Sequence, residues 1–69
     1  MRDYYQIHEE ISEIFRISGI SLFNVSEIRL PKDDYKEFFK ETKEKGFSVT
    51  WWEIPVVEHD INSIFVVMK

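Results

Sequence analysis

The stretch LPKDDYKEFFKETKEKGF, residues 30–47, decides how this chain is read. Pro31 halts whatever precedes it and suits the first turn of a helix, where its missing N–H is not needed. Asp33 and Asp34 follow, where acids favour the positive end of the helix dipole. Tyr35, Phe38, Phe39 and Thr42 recur at three- and four-residue steps, the period of one buried helix face. Lys43 and Lys45 fall in the last turn, and Glu41 stands four residues before Lys45, the favourable orientation for a helical ion pair. Gly46 supplies a stop. The spacing predicts a helix between Pro31 and Gly46 with a strand on either side.

Working outward, residues 20–30 read as the first strand. Ile20, Leu22, Phe23, Val25, Ile28 and Leu30 suit a strand, but the alternation slips between Val25 and Ile28; a bulge or a change of face accounts for such a slip. Phe47–Ile54 reads as the second strand, with Phe47, Val49 and Trp51 on one side and Ser48, Thr50, Trp52 and Ile54 on the other. Pro55 ends it, 56–62 is a connection, and Ser63–Met68 reads as a last strand, apolar on both faces and suited to a central position. Upstream, Tyr4, Ile7, Ile11, Ile14, Phe15 and Ser18 form a helical stripe over residues 3–18. Asp3 serves its positive N-terminus, as an N-cap or a first-turn acid, and Gly19 is its left-handed terminator.

The expected fold is therefore α+β in the order α-β-α-β-β. It is one domain over residues 1–69: a three-stranded mixed sheet with both helices on one face. The strand–helix–strand unit from Leu22 to Ile54 is expected to be a right-handed crossover between parallel strands. The last strand fits antiparallel between them, giving the order first, third, second; the alternative puts it at an edge.

The chain has 69 residues, 43% of them hydrophobic and 16% aromatic, which is enough apolar surface to fold and little more. It has no cysteine, so disulfides, thiol catalysis and cysteine zinc sites are excluded. Its net charge of −4 works against non-specific nucleic-acid binding. The five lysines between Lys32 and Lys45 are matched by five acids, Asp33, Asp34, Glu37, Glu41 and Glu44, the pattern of a solvated helix face. No apolar run approaches the roughly 20 residues that span a bilayer. The N-terminal MRDYYQIHEE turns acidic where a leader would turn apolar, so the expected location is cytosolic.

Catalytic constellations are sparse. His8, beside Glu9 and Glu10, and His59, in Glu58-His59-Asp60, lack the helical i, i+4 spacing of paired metal ligands. Glu53 is the one acid set in an apolar stretch, where burial would raise its pKa, although a strand end is ordinarily wet. There is no glycine-rich phosphate loop and no nucleophile elbow. No cofactor or metal is expected.

The remaining class is a binding surface. With both helices on one sheet face, the other is open and carries Thr50, Trp52 and Ile54 beside either Ile64, Val66 and Met68 or Phe65 and Val67. Such an apolar face with a tryptophan marks protein contact sites; the alternative is that Trp52 packs under the 55–62 loop. The reading is a non-enzymatic interaction module that self-associates as a homo-oligomer or binds and regulates a larger protein. Its site residues are Trp52, Ile54, Thr50, Val66 and Ile64, and docking is by sheet face or strand edge. Two alternatives stand beside it. One is a nucleic-acid-associated regulator using Lys32, Lys36, Lys40 and Lys43. The other is a small metal-dependent or carboxylate enzyme using Glu53 and His59.

Overall fold

A computed structural model of the chain describes residues 2–46 and 48–69. It is α+β, with helices α1 (Tyr4–Ser18) and α2 (Lys32–Glu44) and strands β1 (Val25–Leu30), β2 (Thr50–Trp51), β3 (Ile54–Glu58) and β4 (Phe65–Met68). The mixed sheet has four strands, in the order β2-β3-β1-β4, where three were expected.

Both helices begin and end where local chemistry directs. The Asp3 carboxylate accepts the Gln6 N–H at 2.9 Å, and the Gln6 side-chain oxygen accepts the Asp3 N–H at 2.9 Å. This reciprocal pair satisfies two N–H groups that the first turn leaves without partners. Gly19 closes α1 at φ 65, a left-handed conformation open to glycine at no steric cost. Pro31 precedes α2, and Gly46 follows it at φ 76.

The face that α2 buries differs from the expected stripe. Asp34, Phe38 and Thr42 point inward, Tyr35 is half-buried, and Phe39 is exposed beneath the Lys43 ammonium. The helix turns this way because Asp34 has a partner: the Arg2 guanidinium bonds both Asp34 and Glu10, clamping the start of α1 to the first turn of α2. Thr42 donates its hydroxyl to the Phe38 carbonyl at 3.0 Å, so it too is buried without an orphaned polar atom. On α1, Ile7, Ile11 and Phe15 are buried, whereas Ser18 is exposed.

The slip in the first strand has a physical cause. Residues 22–24 form a 3-10 turn, so pairing starts only at Val25, and the register between β1 and β4 shifts between Val25 and Glu27. The extra residue, Ser26, lets Val25 and Ile28 both face inward. Beyond it the alternation is regular: Ile28 and Leu30 are buried, and Glu27 and Arg29 face the other way.

The largest departure lies at 50–58. The expected second strand, 47–54, reverses direction at Trp52–Glu53, with Trp51 paired to Ile54 and Thr50 to Pro55. Both turn residues have positive φ, 50 for Trp52 and 69 for Glu53, the backbone of a two-residue hairpin turn. The strand parallel to β1 is β3, in register Ile28↔Val56 and Arg29↔Val57, and it takes in the first three residues, 56–58, of the expected 56–62 connection. Pro55 is tolerated in β3 because Val56, not Pro55, donates its N–H toward the β2 side, to the Val49 carbonyl at 3.2 Å; the missing N–H of Pro55 faces β1, where pairing starts only at Val56. The expected position of Phe47 lies outside the described residues. β4 runs antiparallel to β1, as expected, but at the sheet's edge rather than its centre.

One core joins the layers. Ile7, Ile11 and Phe15 of α1 and Phe38 of α2 pack with Val25, Ile28, Leu30, Trp51, Ile54, Val56 and Ile64. Both helices therefore cover one side of the sheet.

Candidate functional site

The uncovered sheet face is not the apolar surface that was expected. At its centre the Arg29 Nε donates to a Glu27 carboxylate oxygen at 2.7 Å, and His59 Nε2 lies 3.8 Å from the same carboxylate. Val57 pairs with Arg29 on one side, and Phe65 and Val67 pair with Arg29 and Glu27 on the other. A charged ridge thus divides the apolar residues.

The five expected contact residues do not share this face. Ile54 and Ile64 belong to the core, at 5% and 8% exposure, and Val66 is half-buried against it. Thr50, paired with Pro55, is half-buried. Only Trp52 is well exposed, at 70%, and it stands in the turn rather than on a strand. The reason is the reversal at 52–53. A strand read straight through that point assigns Ile54 the wrong side, because pairing with Trp51 puts the two on the same inward face.

What the fold does assemble lies at the end of the sheet. The 3-10 turn at Leu22–Asn24 begins with the Ser21 hydroxyl accepting the Phe23 N–H at 3.3 Å, and it projects Phe23 outward at 86% exposure. The Lys69 N–H donates to the Asn24 carbonyl at 2.8 Å, fastening the end of β4 to this turn. Opposite stands the Trp52–Glu53 turn. Leu22, Phe23, Trp52, Glu53, Pro55 and Lys69 surround a groove of about 470 Å³, open to solvent and mostly apolar, with one acid and one base among its walls.

No family model, curated protein or solved structure matches this chain. The functional reading is carried by geometry.

That geometry separates the residues proposed for chemistry. Glu53 precedes the five-residue β3 and His59 follows it, so they stand at opposite ends of a strand about 17 Å long. His8 is on the helix side, where its Nδ1 accepts the Trp51 indole N–H at 2.9 Å; His59 is beside Glu27 on the other side. Among the described residues, no three of His, Asp and Glu gather as metal ligands. On α2, Lys45 is engaged by Glu41 at 3.0 Å, and Lys43 lies over the Phe39 ring. The hydrogen bond to Glu41, helped by the nearby Tyr5 hydroxyl, raises the Lys45 ammonium above the ordinary lysine range. Among the described residues, no helix is long and apolar enough to cross a membrane.

Sequence reasoning identified Trp52 but missed Leu22 and Phe23. Both were placed in a strand, because an apolar run before a strand gives no sign that its first three residues coil into a 3-10 turn. The signal available was Ser21 two residues before Phe23, a local side-chain-to-backbone capping pattern.

Proposed function

We propose that this chain is a non-enzymatic protein-interaction module, and that its contact site is the groove at the sheet end, anchored on Trp52 with Phe23 across from it. The observation that carries the reading is the Trp52–Glu53 turn. A left-handed backbone costs a residue with a side chain roughly 1–2 kcal/mol, and Asn-Gly is the ordinary solution for such a hairpin. Here the turn is Trp-Glu. The tryptophan held there is exposed, with its ring T-shaped to that of Trp51 at 6.3 Å between centres. The fold gains little from it, and strained backbone of this kind clusters at functional sites. Tryptophan in a concave apolar setting is also the residue type richest in binding energy at interfaces. The partner is another protein, which this small acidic domain regulates.

The test is capture from native lysate on immobilised wild-type protein beside Trp52→Asp and Phe23→Asp, with circular dichroism to establish folding. A retained protein lost from both folded variants supports the reading. Equal retention by wild type and both variants removes the groove as the contact site.

A further inference from the structure

The sheet has two edges of unequal character. β2, at one edge, is two residues long and ends in the Trp52–Glu53 turn. β4, at the other, is Phe65-Val66-Val67-Met68, with no charge and no proline, and none of the described residues pairs with its outer side. Natural edges are ordinarily blunted by charge, proline or bulges, since a row of free N–H and C=O groups templates another strand. Phe65 is 57% and Met68 48% exposed along this edge.

The direction of each backbone group follows from two bonds. The Lys69 N–H donates to the Asn24 carbonyl at 2.8 Å, and the Val67 carbonyl accepts the Ser26 hydroxyl at 3.4 Å. The backbone groups of 67 and 69 therefore face β1. Alternation along the strand sends the N–H and C=O of Val66 and Met68 outward. Faces are fixed as well: Phe65 and Val67 pair with Arg29 and Glu27 on the uncovered face, while Val66 pairs with the buried Ile28.

We infer that β4 pairs with β4 of a second copy, antiparallel about a two-fold axis at Val66, making one continuous eight-stranded sheet. Opposite residues in an antiparallel pair share a face, so the axis must pass through a residue rather than between two. With the axis at Val66, that residue exchanges both hydrogen bonds with its own copy, and Met68 meets Ile64 of the second copy. Phe65 then lies opposite Val67 of the second copy, apolar against apolar on the uncovered face. Moving the axis to Val67 still pairs Val66 with Met68 but sets the apolar Phe65 against the charged Lys69. No acid lies on β4, so the strand itself adds no repulsion between two copies of a chain of net charge −4. The edge strand is four residues long, against roughly 20–30 residues a side in a standard interface. The dimer is accordingly weak and concentration-dependent. It goes beyond the groove reading and does not rest on it.

Sedimentation equilibrium over a concentration series tests the seam, with wild type beside Met68→Pro and Trp52→Ala. Proline at 68 removes an N–H that points outward and leaves the bonds of Phe65 and Val67 to β1 in place. The wild type is expected to pass from monomer to dimer as concentration rises, Trp52→Ala to do the same, and Met68→Pro to associate at least tenfold more weakly. In a sample mixing isotope-labelled and unlabelled wild type, the expected inter-copy Hα–Hα cross-peak joins Phe65 to Val67. This measurement stands even if the proline variant does not fold. A wild type monomeric throughout, a dimer unaffected by Met68→Pro in its folded form, or inter-copy cross-peaks confined to other residues each overturn the inference. Loss of the dimer in Trp52→Ala overturns it too, by moving the seam to the groove, and leaves the groove reading standing.

Discussion

Trp51 is 6% exposed, packs against Phe15 at 5.0 Å between ring centres and donates its indole N–H to His8, whereas Trp52, the next residue, is 70% exposed on a left-handed backbone. Two identical side chains at adjacent positions thus do opposite work. Trp51 closes the core beneath α1, with its one polar group satisfied as a buried indole requires. Trp52 contributes surface, and its neighbours Phe23 and Leu22 contribute more. The contrast teaches that in this domain stability resides on the helix side of the hairpin and the exposed aromatic surface resides at its turn.

Five variants break or sharpen that contrast. Trp51→Ala is expected to lose about 3–5 kcal/mol in urea denaturation, enough to leave a domain of this size largely unfolded, while Trp52→Ala stays within about 0.5 kcal/mol of wild type. Equal losses would erase the distinction between the two. Next, His8→Leu leaves the Trp51 N–H without its acceptor and is expected to cost about 1–2 kcal/mol. The same denaturation curves check it, and an unchanged midpoint would show that water replaces the imidazole.

The double change Trp52→Asn with Glu53→Gly installs the sequence this turn geometry prefers. It is expected to stabilise the domain by about 1 kcal/mol while removing the groove's anchor. A gain in melting temperature accompanied by loss of capture is the signature of a turn kept for contact rather than for folding. A lower melting temperature would mean that Trp52 supports the fold after all.

The smallest effect belongs to Glu41→Gln, remote from the hairpin. Glu41 raises the Lys45 pKa, so their interaction is fully present below the ordinary lysine value of about 10.4 and is lost as pH rises through the raised folded value. Lys45 is exposed, and at neutral pH the melting temperatures should differ only at the edge of resolution. They should converge in strongly alkaline buffer. A gap that widens there would place the Glu41 effect elsewhere.

Much of the fold was legible along the chain, and the legible parts share a cause. Asp3 with Gln6, Gly19, Pro31, Gly46 and the Glu41–Lys45 pair all act within four residues, so the sequence states them outright. The bulge at Ser26 left its trace as a broken alternation. The Arg2–Asp34 bond left none, because its partners lie 32 residues apart and only their meeting explains why Asp34 rather than Phe39 turns inward. The candidate site was legible at Trp52 and nowhere else. Ile54, Ile64 and Val66 were assigned to an exposed face because the hairpin was read as a single strand, and its turn carries neither asparagine nor glycine to betray it.

By itself, then, the sequence determined a cysteine-free α+β domain, two amphipathic helices, their end points and a net acidic charge, since each follows from composition or from contacts within a helical turn. Tertiary structure alone decided that β1 lies between β3 and β4, that the chain reverses at Trp52–Glu53, and that Trp51 is core while Trp52 is surface. These outcomes rest on pairings such as Ile28 with Val56 and Val66, between residues far apart in the chain. Such pairings set register and face together, and they hold a strained turn that no local preference would form.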